Sequence, residues 1–499
     1  MLFTDDFLGS HLRISTLIGD LKNTGPATHL PSPPAIMSRS IHLVWHRAEL
    51  RVHDHPALHH ALEMAQKDGG IVVPLVIIDP HIFERADLTP RRQAHFLENV
   101  RALREKYRSI GAELIVREGD PAKILAQLAK ENAVKSVHLV RTYTPYAKKR
   151  DAQATEVLEE AGIEVFSHGG QYTHEPGEVL TQEGTRYGVF GAYRKKWAQL
   201  PKPEIFDAPK KMEALPESLE IGEIRRVESD VPLLEPGEGA ALKRLDWFIE
   251  NAEKTYEKTR NEPQREDSTS KLSIYFNLGI LSPRVAFERA TTEKWKFELT
   301  WWDFFADVMD RTPESAKDAY KSDWRGFPWR DGKDKESKAD LERWKNGQTG
   351  FPLVDAGMRE LVQTGFMHNR VRLVVASFLT KHLLIDWRVG EEIFRGLLLC
   401  GDRNQNVGNW QWVAGCGVDA SPYFRVFNPT SQGEKFDPNG DYVRRWLPEL
   451  KDVDKRYIYE PWLLKEKIAD YPAPMLDLNE GRDRFLKTAK EFLGKKKIV

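Results

Sequence analysis

Three side chains spaced four residues apart near position 400 could hold a flat, nitrogen-rich ring. Asp402, Asn406 and Trp410 fall on one stripe if this segment is helical, because residues i and i+4 are neighbours on a helix surface. The carboxylate could accept from a ring N–H, the amide could bond a ring nitrogen, and the indole could pack beside them. An exposed polar face with one aromatic residue would give the same spacing. Trp412 follows two residues after Trp410, so a helix would point the two indoles in nearly opposite directions.

A second aromatic group is predicted to lie on one face of a helix, and its members are Trp295, Glu298, Trp301 and Trp302. A carboxylate between indoles is costly to bury unless it is paired or bound to a ligand. Aromatic side chains also stack on unpaired or flipped bases. This group is therefore a candidate nucleic-acid contact, although a half-exposed amphipathic helix would show the same pattern.

A short polar segment before a helical pattern could hold a phosphate. Its residues are Thr269, Ser270, Lys271, Leu272 and Ser273. Hydroxyl groups, backbone N–H groups and a cation at the start of a helix suit an anion. An ordinary helix N-cap has the same residue types.

We predict no metal site. His46, His53, His55, His59 and His60 lie close together in the sequence, but their spacing matches no zinc pattern. The chain has two cysteines, Cys400 and Cys416. Two cysteines exclude a four-cysteine zinc site, an iron–sulfur cluster and a disulfide scaffold, and they fit a reducing cytoplasm.

Two kinds of structure must position these groups. Apolar runs at residues 41–45, 71–78, 113–116 and 136–140 predict strands, with helical patterns between them at residues 92–110 and 121–132. This alternation predicts a doubly wound parallel sheet, whose ligands bind at the carboxyl ends of its strands. From residue 240 onward the pattern is helical. The fold class is therefore α/β plus all-α, with a long connector between the two parts.

The predicted organisation has four segments. Residues 1–40 show no period and are predicted to be a disordered extension, residues 41–165 an α/β domain, residues 166–240 a connector, and residues 241–499 a helical domain. The net charge of −1 means that a nucleic acid would have to meet a local basic patch. No apolar run reaches the roughly 18 residues that a membrane span needs.

Several long segments, in order, resemble the photolyase/cryptochrome family. They are residues 43–54 (LVWHRAELRVHD), 269–273 (TSKLS), 279–284 (GILSPR), 349–359 (TGFPLVDAGMR), 367–372 (MHNRVR), 409–412 (NWQW) and 419–429 (DASPYFRVFNP). Within the family the chain is most similar to class I cyclobutane pyrimidine dimer photolyases. Asn406 is one reason, because plant cryptochromes usually have Asp at that position.

The resemblance implies a FAD bound in the helical domain. It assigns Tyr256 and residues 269–273 to the FAD phosphates, and it places Trp295, Asn369, Arg372, Cys400, Asp402 and Asn406 around the cofactor. Asn406 is the implied partner of flavin N5.

The resemblance further implies light-driven repair of cyclobutane pyrimidine dimers in DNA, a carbon–carbon lyase reaction in which excited, reduced FAD donates an electron to the flipped dimer. The implied DNA and dimer contacts are Arg260, Glu298, Trp301, Asn369, Arg370 and Trp412. Trp410, Trp387 and Trp329 are implied to relay electrons to the flavin. A cryptochrome-like photoreceptor and a damage-binding protein without repair activity are the alternatives.

Two residues depart from the family pattern. Trp302 stands where relatives usually have Arg, and Cys400 stands where they have the Asp that pairs with the arginine matched by Arg372. A third difference concerns the antenna chromophore: Tyr146-Ala147 replaces the Asn-Glu of folate-binding relatives. Folate is therefore disfavoured, and a deazaflavin antenna, an FMN antenna or no antenna remains open. We also expect a monomer that is located in the cytoplasm and has no membrane partner.

Overall fold

A five-stranded parallel sheet forms the N-terminal part of the molecule. The computed structural model describes residues 39–496, so the extension predicted for residues 1–40 lies almost wholly outside them. The strands are β1 (Ile41–His46), β2 (Ile71–Ile78), β3 (Ile115–Glu118), β4 (Val134–Val140) and β5 (Glu164–His168). Their order is β3-β2-β1-β4-β5. The order reverses at β1, as in a doubly wound sheet, so the predicted fold class is confirmed.

The central strands are apolar throughout because both faces of the sheet are covered. Every residue of β1 and β2 is buried. Leu43 and Trp45 point into the core on one face, whereas Val44 joins the core on the other. A parallel sheet buried on both faces requires such continuous apolar runs.

Helices connect the strands and cover the sheet. They are α1 (Pro56–Asp68), α2 (Pro80–Phe83), α3 (Pro90–Ser109), α4 (Pro121–Glu131) and α5 (Pro145–Glu160). Each begins with a proline, which suits the first helical position because its fixed φ is helical and its missing N–H would be unpaired there. The two helices predicted at residues 92–110 and 121–132 are α3 and α4.

The segment predicted as a connector contains regular structure that the sequence pattern did not indicate. It holds most of β5 and also α6 (Phe190–Gln199). β5 is an edge strand without a fully buried residue, so it lacks an apolar run. The buried face of α6 consists of Phe190, Tyr193 and Trp197, and polar residues on its other face conceal this short repeat.

The remainder of the described chain is helical. Its α-helices are α7 (Glu238–Asn251), α8 (Tyr256–Thr259), α9 (Ser273–Asn277), α10 (Pro283–Arg289), α11 (Glu293–Arg311), α12 (Lys335–Lys345), α13 (Pro352–Thr364), α14 (Asn369–Ser377), α15 (Trp387–Leu397), α16 (Arg403–Ala414), α17 (Pro429–Phe436), α18 (Asp441–Trp446) and α19 (Leu478–Lys496). A π-helical turn, Phe378–His382, follows α14. Among these helices none has the length and apolar character needed to cross a bilayer.

One hydrophobic core is shared between the sheet and the helices. Val44 and Val76 of the sheet belong to the same buried cluster as Phe248, Leu272 and Leu299 of the helical part. The burial of this apolar surface stabilises the contact between the two parts.

A buried arginine adds a polar tie between these regions. The Arg51 guanidinium donates to the carbonyl oxygens of Gly279 in the helical part, at 2.8 Å, and of Gly170 in the connector, at 2.7 Å. The helical part is therefore fixed against the carboxyl ends of the strands.

Candidate flavin and DNA site

A central cavity lies between α14, α15 and α16. Six of the predicted site residues line it: Asn369, Arg372, Cys400, Asp402, Asn406 and Trp410. Leu373, Ala376, Phe394 and Val413 contribute apolar wall. The cavity therefore combines amide, carboxylate and guanidinium groups with aromatic and aliphatic surface, which suits a flat heteroaromatic ligand.

The beginning of α16 fixes two of these polar groups. Asp402 is the N-cap, and its carboxylate accepts a hydrogen bond from the Gln405 N–H at 2.8 Å. Burial raises the pKa of Asp402 to about 6. Hydrogen bonds from the backbone N–H groups of Gln405 and Asn404, and the charge of Arg92, lower it by a smaller amount. The predicted stripe of residues 402, 406 and 410 is present, and Asp402 is its cap.

The Asn406 amide is oriented by Glu391 of α15, a residue that the sequence analysis missed. The Nδ2 group of Asn406 donates to the Glu391 backbone oxygen at 2.8 Å and to Glu391 Oε1 at 3.0 Å. Two acceptors on one side fix the amide orientation, so the Asn406 oxygen is left to accept a hydrogen bond. Glu391 lies fifteen residues earlier in the chain, and no local spacing connects the two.

Arg372 has a thiol beside it instead of a carboxylate. Its Nη1 and Nη2 atoms lie 3.9 and 3.8 Å from Cys400 Sγ, and its Nε donates to the Met367 carbonyl at 2.7 Å. Within residues 39–496 no carboxylate forms a salt bridge with Arg372. The departure at position 400 therefore leaves the guanidinium without its usual charge partner.

The predicted phosphate segment has unused donors and two cations. The backbone N–H groups of Thr269, Ser270 and Lys271 have no hydrogen-bond partner in the described part of the chain. Arg244 of α7 supports the loop, because its guanidinium donates to the Ser270 and Thr269 carbonyls at 2.8 and 3.1 Å. Free N–H groups beside cations form an anion cradle.

Phe366 connects this cradle to the central cavity. The Lys271 ammonium and the Arg372 guanidinium each lie 5.6 Å from its ring centre. Tyr256, the other predicted phosphate contact, starts α8 and lies under the guanidinium of Arg260 at 5.5 Å. These donors fit a dinucleotide cofactor: a ring in the cavity and phosphates on the loop.

A charged face next to the cavity brings together three of the predicted DNA contacts; we call it the dimer face and define it by Arg260, Asn261, Glu298 and Arg370. Arg260 forms a salt bridge with Glu298 Oε1, and Lys294 lies 3.0 Å from the same oxygen. Arg370 donates to the Asn261 Oδ1 atom at 2.8 and 3.2 Å. Asn369 and Arg370 are consecutive, so the start of α14 reaches the cavity with one residue and the dimer face with the next.

Among the aromatic residues of α11, Trp301 packs apart from Trp295 and Trp302, so the expectation of one common face is wrong for Trp301. Trp295 is buried against Phe248 at 5.0 Å, and Trp302 lies 5.7 Å from Phe276. Trp301 stacks on Phe190 of α6, with ring centres 3.5 Å apart. Residues 301 and 302 differ by about 100° around a helix, which sends their side chains to different neighbours.

Two phenyl rings pack on the half-buried Trp301 indole. Phe190 stacks on it, and the Phe305 ring lies 5.2 Å away at an angle of 28°. Part of the indole face is therefore occupied by protein. Trp412 is half-buried and packs against the core of the helical part.

The three predicted relay tryptophans lie on three segments that contact one another in turn: α16, α15 and the segment before α12. Trp410 is buried beside Phe394, and a side chain at Gly390 of α15 would collide with its indole. Trp387, the first residue of α15, is also buried. Trp329 is half-buried, and Arg330 next to it exchanges backbone hydrogen bonds with Leu384 and Asp386, next to Trp387.

A second cavity of about 290 Å³ opens at the carboxyl ends of the strands; we call it the sheet-edge cavity. Its apolar wall includes Trp45, Ile77, Ile78, Phe83 and Phe96. Arg92 and Arg403 line both this cavity and an adjoining pocket, which we call its mouth and which also contains Arg85, Arg395 and their salt-bridge partner Asp87. Asp402 lines both this cavity and the central one.

A buried cluster in the sheet part contains two of the clustered histidines. His46, Glu49 and His55 lie close enough to share an ion, but both His46 ring nitrogens already bond the Glu49 carbonyl and the Tyr107 hydroxyl, at 3.0 and 2.7 Å. The Glu49 carboxylate accepts from the backbone N–H groups of Arg47 and Ala48. His55 Nδ1 accepts from the Leu58 N–H at 3.1 Å, while its Nε2 atom has no partner among the described residues.

Comparison with known proteins agrees with this geometry. Residues 42–216 match the model for DNA photolyase, and residues 295–491 match the FAD binding domain of DNA photolyase. A deoxyribodipyrimidine photo-lyase of Thermus thermophilus is 42% identical over 461 residues, covering 90% of this chain and 98% of the relative. The chain belongs to the photolyase/cryptochrome family.

Solved structures of the family show the same fold. A class III photolyase from Agrobacterium tumefaciens superposes with a TM-score of 0.82 at 33% identity, covering 93% of this chain and 99% of that one. A Synechocystis cryptochrome superposes with a TM-score of 0.81 at 32% identity, covering 90% and 99%. The helical part of this chain is a photolyase-type FAD-binding domain.

Proposed function

We propose that the protein repairs cyclobutane pyrimidine dimers in DNA with light. The observation that carries this proposal is the junction at the start of α14, where Asn369 lines the flavin cavity and Arg370 belongs to the dimer face. Electron transfer needs a short path between donor and substrate, and two consecutive residues that would contact the flavin and the dimer support such a path. The similarity to deoxyribodipyrimidine photo-lyases over 90% of the chain supports the same reaction.

The bound cofactor would supply the chemistry: excited, reduced FAD would lend an electron to the dimer, the cyclobutane ring would split into two pyrimidines, and the electron would return to the flavin. Asp402, Asn406, Arg372 and the unused donors of residues 269–271 hold the cofactor. The Asn406 oxygen accepts from a ring N–H because Glu391 takes both donors of the amide. The protein otherwise supplies orientation and exclusion of water.

Glu298 contributes an acceptor to the dimer face. Its Oε1 atom takes both Arg260 and Lys294, while Oε2 has no partner within residues 39–496. Oε2 is therefore available to an N–H group of a pyrimidine ring. The Arg260 guanidinium beside it stabilises the negative charge that the dimer gains, and such stabilisation acts on the reaction more than on ground-state binding.

A repair assay on a dimer-containing oligonucleotide under blue light, with a dark control, tests this function. Glu298→Ala should lower the quantum yield of repair more than it weakens DNA binding, and Glu298→Gln should retain part of the yield because it keeps one acceptor oxygen. Equal loss of binding and yield would contradict the assigned role. Absence of light-dependent repair by the unmodified protein would favour a photoreceptor or a damage-binding protein.

The relay of Trp410, Trp387 and Trp329 supplies electrons that restore the reduced cofactor. Shared packing of α15 on Trp410 and the backbone bonds between Arg330 and residues 384–386 support this order. Trp410→Phe should abolish photoreduction in solution while chemically reduced protein still repairs dimers. Normal photoreduction by Trp410→Phe would disprove the relay.

The sheet-edge cavity binds a second, antenna chromophore. Its apolar wall suits a flat ring, and the arginines of its mouth suit a phosphate. An FMN, or a deazaflavin with an anionic tail, fits this combination. The protein acts as a monomer in the cytoplasm, where its two free, buried cysteines would remain reduced.

A further inference from the structure

A loop at residues 419–427, between α16 and α17, borders the dimer face. Its tip carries Phe424, which is 67% exposed, and Arg425 beside it is also exposed. The charge of Arg425 contributes to lowering the pKa of Arg370, after burial and the charge of Arg260. At the other end of the loop, Asp419 accepts from the Phe190 N–H at 3.1 Å. The loop therefore lies near the charge of Arg370, and its first residue bonds the backbone of Phe190, whose ring stacks on Trp301.

Lys381 is a buried cation whose hydrogen bonds all go to this loop. Its side chain belongs to the π-helical turn and its residue is 1% exposed. The Nζ group donates to the Tyr423 carbonyl at 3.2 Å and to the Arg425 carbonyl at 2.9 Å. These two residues flank Phe424, so one ammonium group holds the loop on both sides of its exposed ring.

The neighbours of Lys381 fasten the end of the same loop. The Phe427 N–H donates to Ser377 Oγ at 3.2 Å, and His382 Nε2 donates to the Phe427 carbonyl at 3.2 Å. The π-turn follows directly on α14, which carries Asn369 and Arg372. One continuous segment, residues 369–382, thus holds the flavin cavity at one end and the loop at the other.

No salt bridge compensates the burial of Lys381. Within the described residues no carboxylate pairs with its ammonium group, and an unpaired buried charge is unfavourable unless strong hydrogen bonds replace its hydration. The two loop carbonyls are the groups that do so. A Met of similar length would fill the core better, which indicates that the cation serves the loop.

We propose that Lys381 is a positioning residue for substrate binding, which fixes the 419–427 loop so that Phe424 and Arg425 contact DNA beside the dimer. An exposed aromatic ring next to a cation suits a helix whose bases have been unstacked. The inference rests on the proposed repair function. It adds an internal anchor that determines how DNA is seated relative to the flavin cavity.

The anchor should depend on pH near neutrality. Burial lowers the pKa of Lys381 to about 7, with a smaller opposing effect of Cys416 and a lowering effect of Arg425. The other titratable neighbours do not change charge there: the pKa of His382 is lowered to about 4 and that of Cys416 is raised to about 12, both chiefly by burial. Arg484, which donates to the His382 carbonyl, stays cationic because arginine loses its proton only far above neutral pH.

The test is the affinity of the full-length, FAD-containing protein for dimer-containing duplex DNA, measured in the dark from about pH 6 to about pH 9. Because a charge-assisted bond weakens when the amine loses its proton, the wild-type affinity should fall several-fold as pH rises through about 7. Lys381→Met should bind about tenfold more weakly at pH 6, with a flat profile. Lys381→Arg should also remove the pH step, because arginine stays charged, while keeping most of the affinity.

Lys321→Met is the matched control. Lys321 Nζ donates to the Gly415 carbonyl at 3.3 Å, close to the loop but outside it, so this variant should keep the wild-type affinity and pH step. If Lys381→Met folds poorly, the DNA affinities of Lys381→Arg and Phe424→Ala test the role of Lys381 instead. At pH 9 the Lys381→Arg variant should bind DNA more tightly than the wild type. In a double-mutant cycle, adding Phe424→Ala to both proteins should remove this difference in affinity.

An unchanged pH step in Lys381→Arg, or wild-type affinity in Lys381→Met, would overturn the proposal. Hydrogen exchange of the free protein tests the Lys381 anchor independently of the proposed repair function. Amides of residues 419–427 should exchange faster in Lys381→Met than in Lys321→Met even if the wild type binds no dimer; equal exchange would overturn the anchor itself.

Discussion

The central cavity and the sheet-edge cavity share Asp402 but are built from different chemistry. The first is lined by an amide, a carboxylate and a guanidinium, each held by a second protein group such as Glu391 or Met367. The second has a large wall of indole, phenyl and aliphatic groups, and charged side chains such as Arg150 and Arg403 line the rest of it. Oriented polar groups can adjust the properties of a bound ring, whereas apolar walls orient it and exclude water. Substitutions in the central cavity should therefore change the binding and redox properties of FAD, whereas substitutions in the sheet-edge cavity should change the affinity for the antenna chromophore.

The largest effect should come from the residue that the cavities share. Asp402→Ala removes both the carboxylate and the helix cap, and we expect FAD affinity to fall about 100-fold, as when a buried charged hydrogen-bond partner is lost. Asp402→Asn keeps the cap, because Asn caps as well as Asp, and should lose less. Flavin absorbance after denaturation measures the bound fraction. Full FAD retention by Asp402→Ala would show that the carboxylate does not contact the cofactor.

A substitution at the sheet-edge cavity should affect the antenna chromophore and leave FAD binding unchanged. Arg403→Ala should weaken FMN uptake about tenfold, the effect of one lost charge-assisted bond, and should leave FAD content unchanged. Arg403→Lys keeps a cation and is the control. Titration with FMN and with a deazaflavin, followed by fluorescence, distinguishes the chromophores. Simultaneous loss of FAD would show that the two cavities are not independent.

The two regions should respond to acid in opposite directions. Burial lowers the pKa of His138 to about 3 and of His168 to about 4. The unfolded chain therefore binds more protons below about pH 6.5, and the sheet part loses stability as pH falls from there towards about 4. Asp402, with a raised pKa, stabilises the fold at low pH and loses that contribution as pH rises through about 6.

Denaturant unfolding at pH 7 and pH 5 measures this difference. Each buried imidazole should account for a loss of about 1–2 kcal/mol at pH 5. His138→Gln should reduce the loss, and His81→Gln, at an exposed side chain, should not. If His138→Gln loses as much unfolding free energy between pH 7 and pH 5 as the wild type, other groups cause the acid sensitivity.

The smallest effects should come from the two departures from the family pattern. Cys400→Asp gives Arg372 a carboxylate and should shift the flavin midpoint potential by about 30 mV, equivalent to about 1.4 kcal/mol for two electrons. Trp302→Arg should raise FAD affinity by a few-fold if a cation acts there. Spectroelectrochemistry and flavin titration measure these changes, with Cys416→Ala as the control. No change in either variant would mean that both departures are neutral.

Local patterns predicted those features that depend on neighbouring residues. The apolar runs of β1 and β2 and the stripe of Asp402, Asn406 and Trp410 follow from spacing alone. Glu391 and Arg244 could not be found this way, because they reach their partners across helices. The stacking of Phe190 on Trp301 could not be found this way either, because Phe190 lies in a segment that showed no period.

The core shared by the sheet and the helices limits how this architecture can be recombined. Phe248, Leu272 and Leu299 are covered by residues such as Val44 and Val76. A chimera that replaced the N-terminal half with that of a distant homologue would leave this apolar surface against side chains of the wrong shape. A functional graft would therefore have to carry both sides of that contact.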